Sequence, residues 1–214
     1  RRQRQMCIRD RDRNRGKRVL FMAARKAGAG GDDLLLFLNQ GILHDKLEME
    51  GIMRILSITA QKPHSTGSGV YLTGLVKGFA ALGHEQAVVA GVYEEDEMHF
   101  PEGTRVYPVY YKTESLPFPI AGMSDEMPYE STIYSHMTED MVDAFKRVFL
   151  EKTREAVECF RPDLILCHHL YLLTAAVREA FPQYKTAAIC HGTGLRQVKK
   201  NSLERDYICL LYTS

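Results

Sequence analysis

Arg54-Ile55-Leu56-Ser57-Ile58-Thr59-Ala60, Ser65-Thr66-Gly67-Ser68-Gly69 and His84-Glu85-Gln86-Ala87-Val88-Val89-Ala90-Gly91, in that order, decide the fold. The first run is apolar and β-branched, the pattern of a strand buried on both faces of a parallel sheet. A Ser-, Thr- and Gly-rich loop from Pro63 to Gly69 follows, and then Val70, Leu72, Leu75, Val76, Phe79 and Leu82 recur at helical spacing. Gly83 stands where a helix end takes a left-handed residue, and the third run reads as a second strand. Strand, glycine loop, helix, strand is a βαβ unit.

The alternation continues downstream. Arg105 to Tyr111 reads as a strand, and the Pro-, Met- and Ser-rich stretch from Pro117 to Tyr134 as a long loop. Thr138-Glu139-Asp140 is an N-cap with acidic first-turn residues, opening a helix with Met141, Val142, Phe145, Val148, Phe149, Thr153, Ala156, Val157 and Phe160 on its apolar side and ending at Arg161-Pro162. Asp163 to His169 is the next strand, Leu172 to Phe181 a helix, and Lys185 to Gly192 a strand ending in a polar turn. The expected fold is α/β, a Rossmann-like doubly wound parallel sheet.

The 214 residues are 45% hydrophobic and carry 28 Lys and Arg against 27 Asp and Glu, a net charge of +1. That composition supports a buried core rather than disorder, and it leaves no overall positive field for nucleic acid. Arg1 to Arg18 holds eight arginines and one lysine against two aspartates, which as protein would be a solvated tail or a nucleic-acid arm. The codons suggest otherwise. Met6-Cys7-Ile8-Arg9-Asp10 and Cys209-Leu210-Leu211-Tyr212-Thr213-Ser214 can be encoded by strings that are reverse complements over most of their length and look like a transposon-end sequencing adapter. Both ends are therefore expected to be read-through from library DNA. Met49-Glu50-Gly51-Ile52-Met53 can encode a ribosome-binding site just ahead of the Met53 codon. Three segments are expected: 1–52 as non-native or translated upstream sequence, 53–206 as the folded domain, and 207–214 as an adapter-derived tail.

Leu34-Leu35-Leu36-Phe37-Leu38 falls far short of the roughly 20 apolar residues of a membrane span. No transmembrane segment is expected, and peripheral membrane contact stays open. Cys159, Cys167 and Cys190 have no paired spacing for a disulfide framework or a zinc site. With no leader ahead of Met53, a cytoplasmic protein is expected.

In open α/β sheets the working residues lie just past the carboxyl ends of the strands. Three places qualify: the loop Ser65-Thr66-Gly67-Ser68-Gly69, the pair His168-His169 and the turn His191-Gly192-Thr193. The glycine loop lets backbone amides approach a phosphate or sugar hydroxyl at a helix N-terminus, although an ordinary strand-to-helix turn has the same composition. His168 and His169 are adjacent, so strand alternation sends them to opposite faces, one into the core and one toward the cleft, and no metal is expected. His191 is followed by a glycine that admits close backbone approach, and an imidazole hydrogen-bonds hydroxyls at neutral pH. A nucleophilic Cys190–His191 pair is disfavoured, because consecutive strand residues diverge.

Gly67-Ser68-Gly69-Val70, Gly83-His84-Glu85, Pro162-Asp163-Leu164-Ile165-Leu166-Cys167-His168 and His191-Gly192, in this order, resemble the amino-terminal domain of family 4 (group 1) GT-B glycosyltransferases over about Met53 to Asp206. The resemblance implies the amino-terminal, acceptor-side half of a GT-B fold. It implies a retaining hexosyltransferase that moves a sugar from a nucleotide-sugar donor to an acceptor hydroxyl and uses no other cofactor. His191 would be the catalytic residue that contacts the transferred sugar, with Gly67 and Gly69 near the donor phosphates. Ser68, His168, His169, Gly192 and Thr193 complete the expected substrate-binding set. The family's carboxyl-terminal domain, which holds the diphosphate and ribose, is absent after Asp206, so the fragment alone is expected to be inactive. The 117–134 loop is then either a cover over the acceptor or surface filler. Two other readings stay open: a non-catalytic small-ligand-binding domain, and a nucleotide-sugar epimerase or dehydrogenase, for which a third glycine and an acidic end to the second strand are missing.

Overall fold

A computed structural model of the chain describes residues 19–23, 51–200 and 207–208. The arginine-rich end, the Leu34–Leu38 run and residues 209–214 lie outside the described residues. In chain order the strands are β1 Val19–Ala23, β2 Arg54–Thr59, β3 Glu85–Val92, β4 Arg105–Tyr110, β5 Ala121–Gly122, β6 Thr132–Ile133, β7 Leu164–His168 and β8 Thr186–Cys190. The helices are α1 Gly67–Ala81, α2 Glu139–Phe160, α3 Leu172–Ala180 and α4 Thr193–Lys200.

Six strands form one parallel sheet in the order β1-β8-β7-β2-β3-β4. From β2 the chain moves outward one way to β3 and β4 and the other way to β7 and β8. The order therefore reverses between β2 and β7, which is where open α/β sheets form their ligand crevice. β1 pairs with β8 from Val19 opposite Thr186 to Ala23 opposite Cys190. It comes from the segment expected to be upstream sequence, for which the sequence suggests at most a short apolar helix at Leu34–Leu38 and no strand.

The sheet is covered on both faces. Leu56 and Ile58 of β2, Ile165 and Cys167 of β7 and Ala188 of β8 pack with Phe145, Phe149 and Val157 of α2. The alternate residues Ile55, Leu166, Ala187 and Ile189 pack with Leu75 and Phe79 of α1. These two sets are what a parallel strand buried on both sides requires, and they explain the unbroken apolar runs.

Two of the short sequence signatures lie at the amino edge, away from the crevice, and close joins there. Gly83 has φ +85°, the Gly83 N–H donates to Ala80 O at 2.9 Å, and the His84 N–H donates to Phe79 O at 3.0 Å. This pair of bonds is a Schellman end to α1. The Met53 N–H donates to His84 Nδ1 at 3.2 Å, tying the turn to the start of β2. Asp163 accepts the Arg54 N–H on Oδ2 at 2.8 Å, while its own N–H donates to Arg54 O at 2.8 Å. The Gly-His-Glu and Pro-Asp signatures thus hold strand starts in register.

The 117–134 stretch is a long loop, as expected, with two short strands in it, but it is not surface filler. Phe118, Ile120, Ala121 and Met123 are buried, and β5 pairs with β6. Its ties are long-range: the Tyr93 hydroxyl donates to Glu130 O at 2.6 Å and accepts the Ile120 N–H at 3.2 Å, and Gln197 Nε2 donates to Met123 O at 3.2 Å. Ile208, within the expected tail, is buried in the same core.

Candidate functional site

The sequence-predicted residues converge at the carboxyl edge beside the strand-order reversal. Gly67, Ser68 and Gly69 follow β2, His168 and His169 end β7, and His191, Gly192 and Thr193 follow β8. β7 lies between β2 and β8, so the three groups sit on neighbouring strands.

The histidines form one cluster. The His168 and His191 rings stack at 5.8 Å with 19° between planes, and the His169 ring lies 4.7 Å from that of His191. Strand parity places His168 on the α1 face with Leu166, and His191 there with Ile189, where Tyr71 of α1 meets the His191 ring edge-on at 5.5 Å. The expected divergence of His168 and His169 does not occur, because His169 has φ 74° and leaves the extended alternation. Both are buried, at 2% and 5% exposure, so neither faces open solvent. His169 Nδ1 lies 3.2 Å from Thr193 Oγ1, which joins the end of β7 to the first turn of α4.

Burial dominates the electrostatics. It lowers the pKa of His169 to about 3 and that of His191 to about 4, and it takes His168 well below the usual imidazole range. The neighbouring imidazoles depress His168 and His169 further. The three rings are neutral at pH 7, and each offers one N–H and one lone pair. His168 Nδ1 and Nε2, His169 Nε2 and His191 Nε2 are buried without a protein partner. Leaving such groups unsatisfied costs about 1–3 kcal/mol each, so the cluster favours a ligand or water that can both donate and accept. Among the described residues no group of three or more His, Cys, Asp or Glu side chains is placed to hold a metal ion.

The glycine loop divides its work. The Gly69 N–H is committed to the N-cap hydroxyl Thr66 Oγ1 at 3.1 Å, and a Cβ on Gly69 would lie 2.6 Å from Lys62 O, so this glycine serves the fold. Gly67 has no atom within 4 Å of a Cβ position and is open to an approaching group. Ser68 Oγ lies 3.0 Å from Thr66 Oγ1 and donates to Gln61 Oε1 at 3.4 Å. Gly192 has φ +79° and open space around it, which fits the turn out of β8.

Sequence reasoning missed Tyr71, Gln61 and Gly194. Tyr71 falls beside the apolar stripe of α1, and only its spacing three residues past Ser68 hinted at the same face. Gln61 is 2% exposed with Nε2 unpartnered, and a Cβ on Gly194 would meet Leu170 O at 2.5 Å. Cys167 is buried, which pushes its thiol up to about 12, and Cys190 packs against the α2-side core.

Among solved structures, the chain is similar to sucrose-phosphate synthase from Thermosynechococcus elongatus, at 13% sequence identity and a TM-score of 0.50, over 75% of this chain and 39% of that one. The likeness shows a glycosyltransferase-like, Rossmann-type fold, and this chain spans well under half of the chain it matches. No family model and no curated protein matches the sequence. No helix among the described residues is long and apolar enough to cross a membrane.

Proposed function

We propose that this chain is the acceptor-side domain of a retaining GT-B transferase of the family 4 type, which moves a sugar from a nucleoside-diphosphate donor to an acceptor hydroxyl. One observation carries the proposal: the Gly67 loop, the histidine cluster and the Gly192 turn meet at the strand-order reversal. His191 contacts the transferred sugar. As a neutral ring with a buried, unpartnered Nε2, it suits a hydroxyl better than a phosphate. His168 and Tyr71 hold that ring, and Gly67 admits the donor phosphates near the N-terminus of α1. A second domain supplies the cationic groups that stabilise the departing diphosphate, which is the main electrostatic demand of the reaction. This chain alone therefore binds donor weakly and turns nothing over.

The test is a titration of the chain with a panel of nucleoside-diphosphate sugars, followed by amide NMR. One donor should shift the amides of Gly67 and of 191–193 and lose that effect in His191→Ala. Shifts confined to other edges of the sheet would refute the assignment.

A further inference from the structure

His191 leads into a hinge. Gly192 has φ +79° and open space where a Cβ would stand, so the local chain does not fix the angle at which α4 leaves β8. That angle, and with it the placement of His191, is set by what α4 touches. Thr193 Oγ1 lies 3.2 Å from His169 Nδ1, and a Cβ on Gly194 would stand 2.5 Å from Leu170 O. Both contacts fall in the first two residues of the helix, where they hold a pivot but give little leverage over its direction.

One helical turn farther on, roughly 6 Å along the axis, Gln197 supplies the lever. Its Nε2 donates to Met123 O at 3.2 Å, and both residues are buried. A carbonyl oxygen only accepts, so Met123 O fixes which way the Gln197 amide points. The anchor is itself held. The Thr132 hydroxyl donates to Pro119 O at 2.7 Å and its N–H to Ile120 O at 2.9 Å, closing the two ends of the 117–134 segment on each other. Gly122 packs where a Cβ would lie 2.8 Å from Met127 Cγ. The Tyr93 hydroxyl, which bonds both Ile120 and Glu130, ties the whole segment to the end of β3. Since β2 and β7 lie between β3 and β8, the segment spans the carboxyl edge, and Gln197 joins it to the helix that follows β8.

We propose that Gln197 is a positioning residue for His191. By fastening α4 to the 117–134 segment it sets the angle of the Gly192 turn, and so the place of the His191 ring against Tyr71 and His168. That His191 serves sugar transfer rests on the transferase reading above; the positioning rests on the geometry alone. A Gln197 that merely satisfied a buried carbonyl would stabilise the fold without moving the ring.

Two variants of this chain test it by NMR of the histidine and tyrosine rings. Gln197→Met keeps the side-chain length and removes the donor, while Tyr93→Phe frees the far anchor of the segment and leaves α4 untouched. In both, the His191 ring resonances should shift and the cross-peaks between His191 and Tyr71 should weaken, with His84 at the amino edge unchanged. His191 resonances that stay in place in folded Gln197→Met would overturn the proposal. Should that variant fail to fold, the same result in Tyr93→Phe overturns it. Equal shifts at His84 would mark a general loosening of the fold and overturn it too. In the full-length protein, Gln197→Met should lower kcat about tenfold or more and leave the donor KM within about twofold, as a misplaced contact to the reacting sugar does. A change confined to KM would contradict positioning. Ring shifts as expected, beside a full-length wild type that turns over no nucleoside-diphosphate sugar, remove the transferase reading and leave the positioning of His191 standing.

Discussion

Replacing His169 by Asn should flatten the acid side of the stability profile. His169 is 5% exposed, and its pKa of about 3 is set first by burial and then by His191. In an unfolded chain the same imidazole titrates near 6.5. The depressed folded value means that the unfolded state takes up a proton that the native state refuses. The contribution is complete above about pH 6.5 and is lost progressively as pH falls toward 3. At pH 5 the loss spans about 1.5 pKa units, or about 2 kcal/mol. Asn is a suitable replacement because it tolerates the left-handed φ of 74° at this position and carries no titrating group. The assay is urea unfolding at pH 7 and pH 5, followed by far-ultraviolet circular dichroism, since the chain contains no tryptophan. Wild type should lose about 2 kcal/mol more than H169N between the two pH values. Parallel losses would refute the claim that His169 is buried in its neutral form.

Three further substitutions probe the frame that holds the site. Gly69→Ala places a Cβ 2.6 Å from Lys62 O and should cost roughly 1–3 kcal/mol in urea unfolding, with displaced amides from 62 to 66. Phe145→Ala empties a fully buried site between Tyr134 and Phe149 and should cost about 3–5 kcal/mol by the same measurement. Thr138→Ala removes the hydroxyl that accepts the Met141 N–H at 3.3 Å and should cost about 1 kcal/mol, most visible as faster amide exchange in the first turn of α2.

The opening βαβ unit was legible because its signals are local: an apolar strand, a helical stripe ending at a left-handed glycine, and a second apolar strand. The same holds for α2, whose Thr138 cap and Arg161-Pro162 stop are written within a few residues of its ends. The 117–134 stretch was legible as a loop, but its packing was not. Its order comes from Tyr93, Gln197 and the β5–β6 pairing, contacts that no local composition encodes. β1 pairs with a strand more than a hundred residues away and carries no turn or helix signal that would have marked it. At the site, strand ends predicted which residues gather at one edge. The left-handed turn at His169 was invisible, and with it the fact that two adjacent histidines reach the same partner.

The central claim is that His191, at the carboxyl edge of this sheet, serves a sugar-transfer reaction. It is tested most directly by assaying the full-length protein that contains this domain for transfer or hydrolysis across a panel of nucleoside-diphosphate sugars, beside its His191→Ala variant. The account predicts turnover of one donor by wild type and a loss of roughly a hundredfold or more in the variant, as for removal of a hydrogen bond aimed at the reacting group. Undiminished turnover in the variant, or no turnover of any donor by the intact protein, would contradict it.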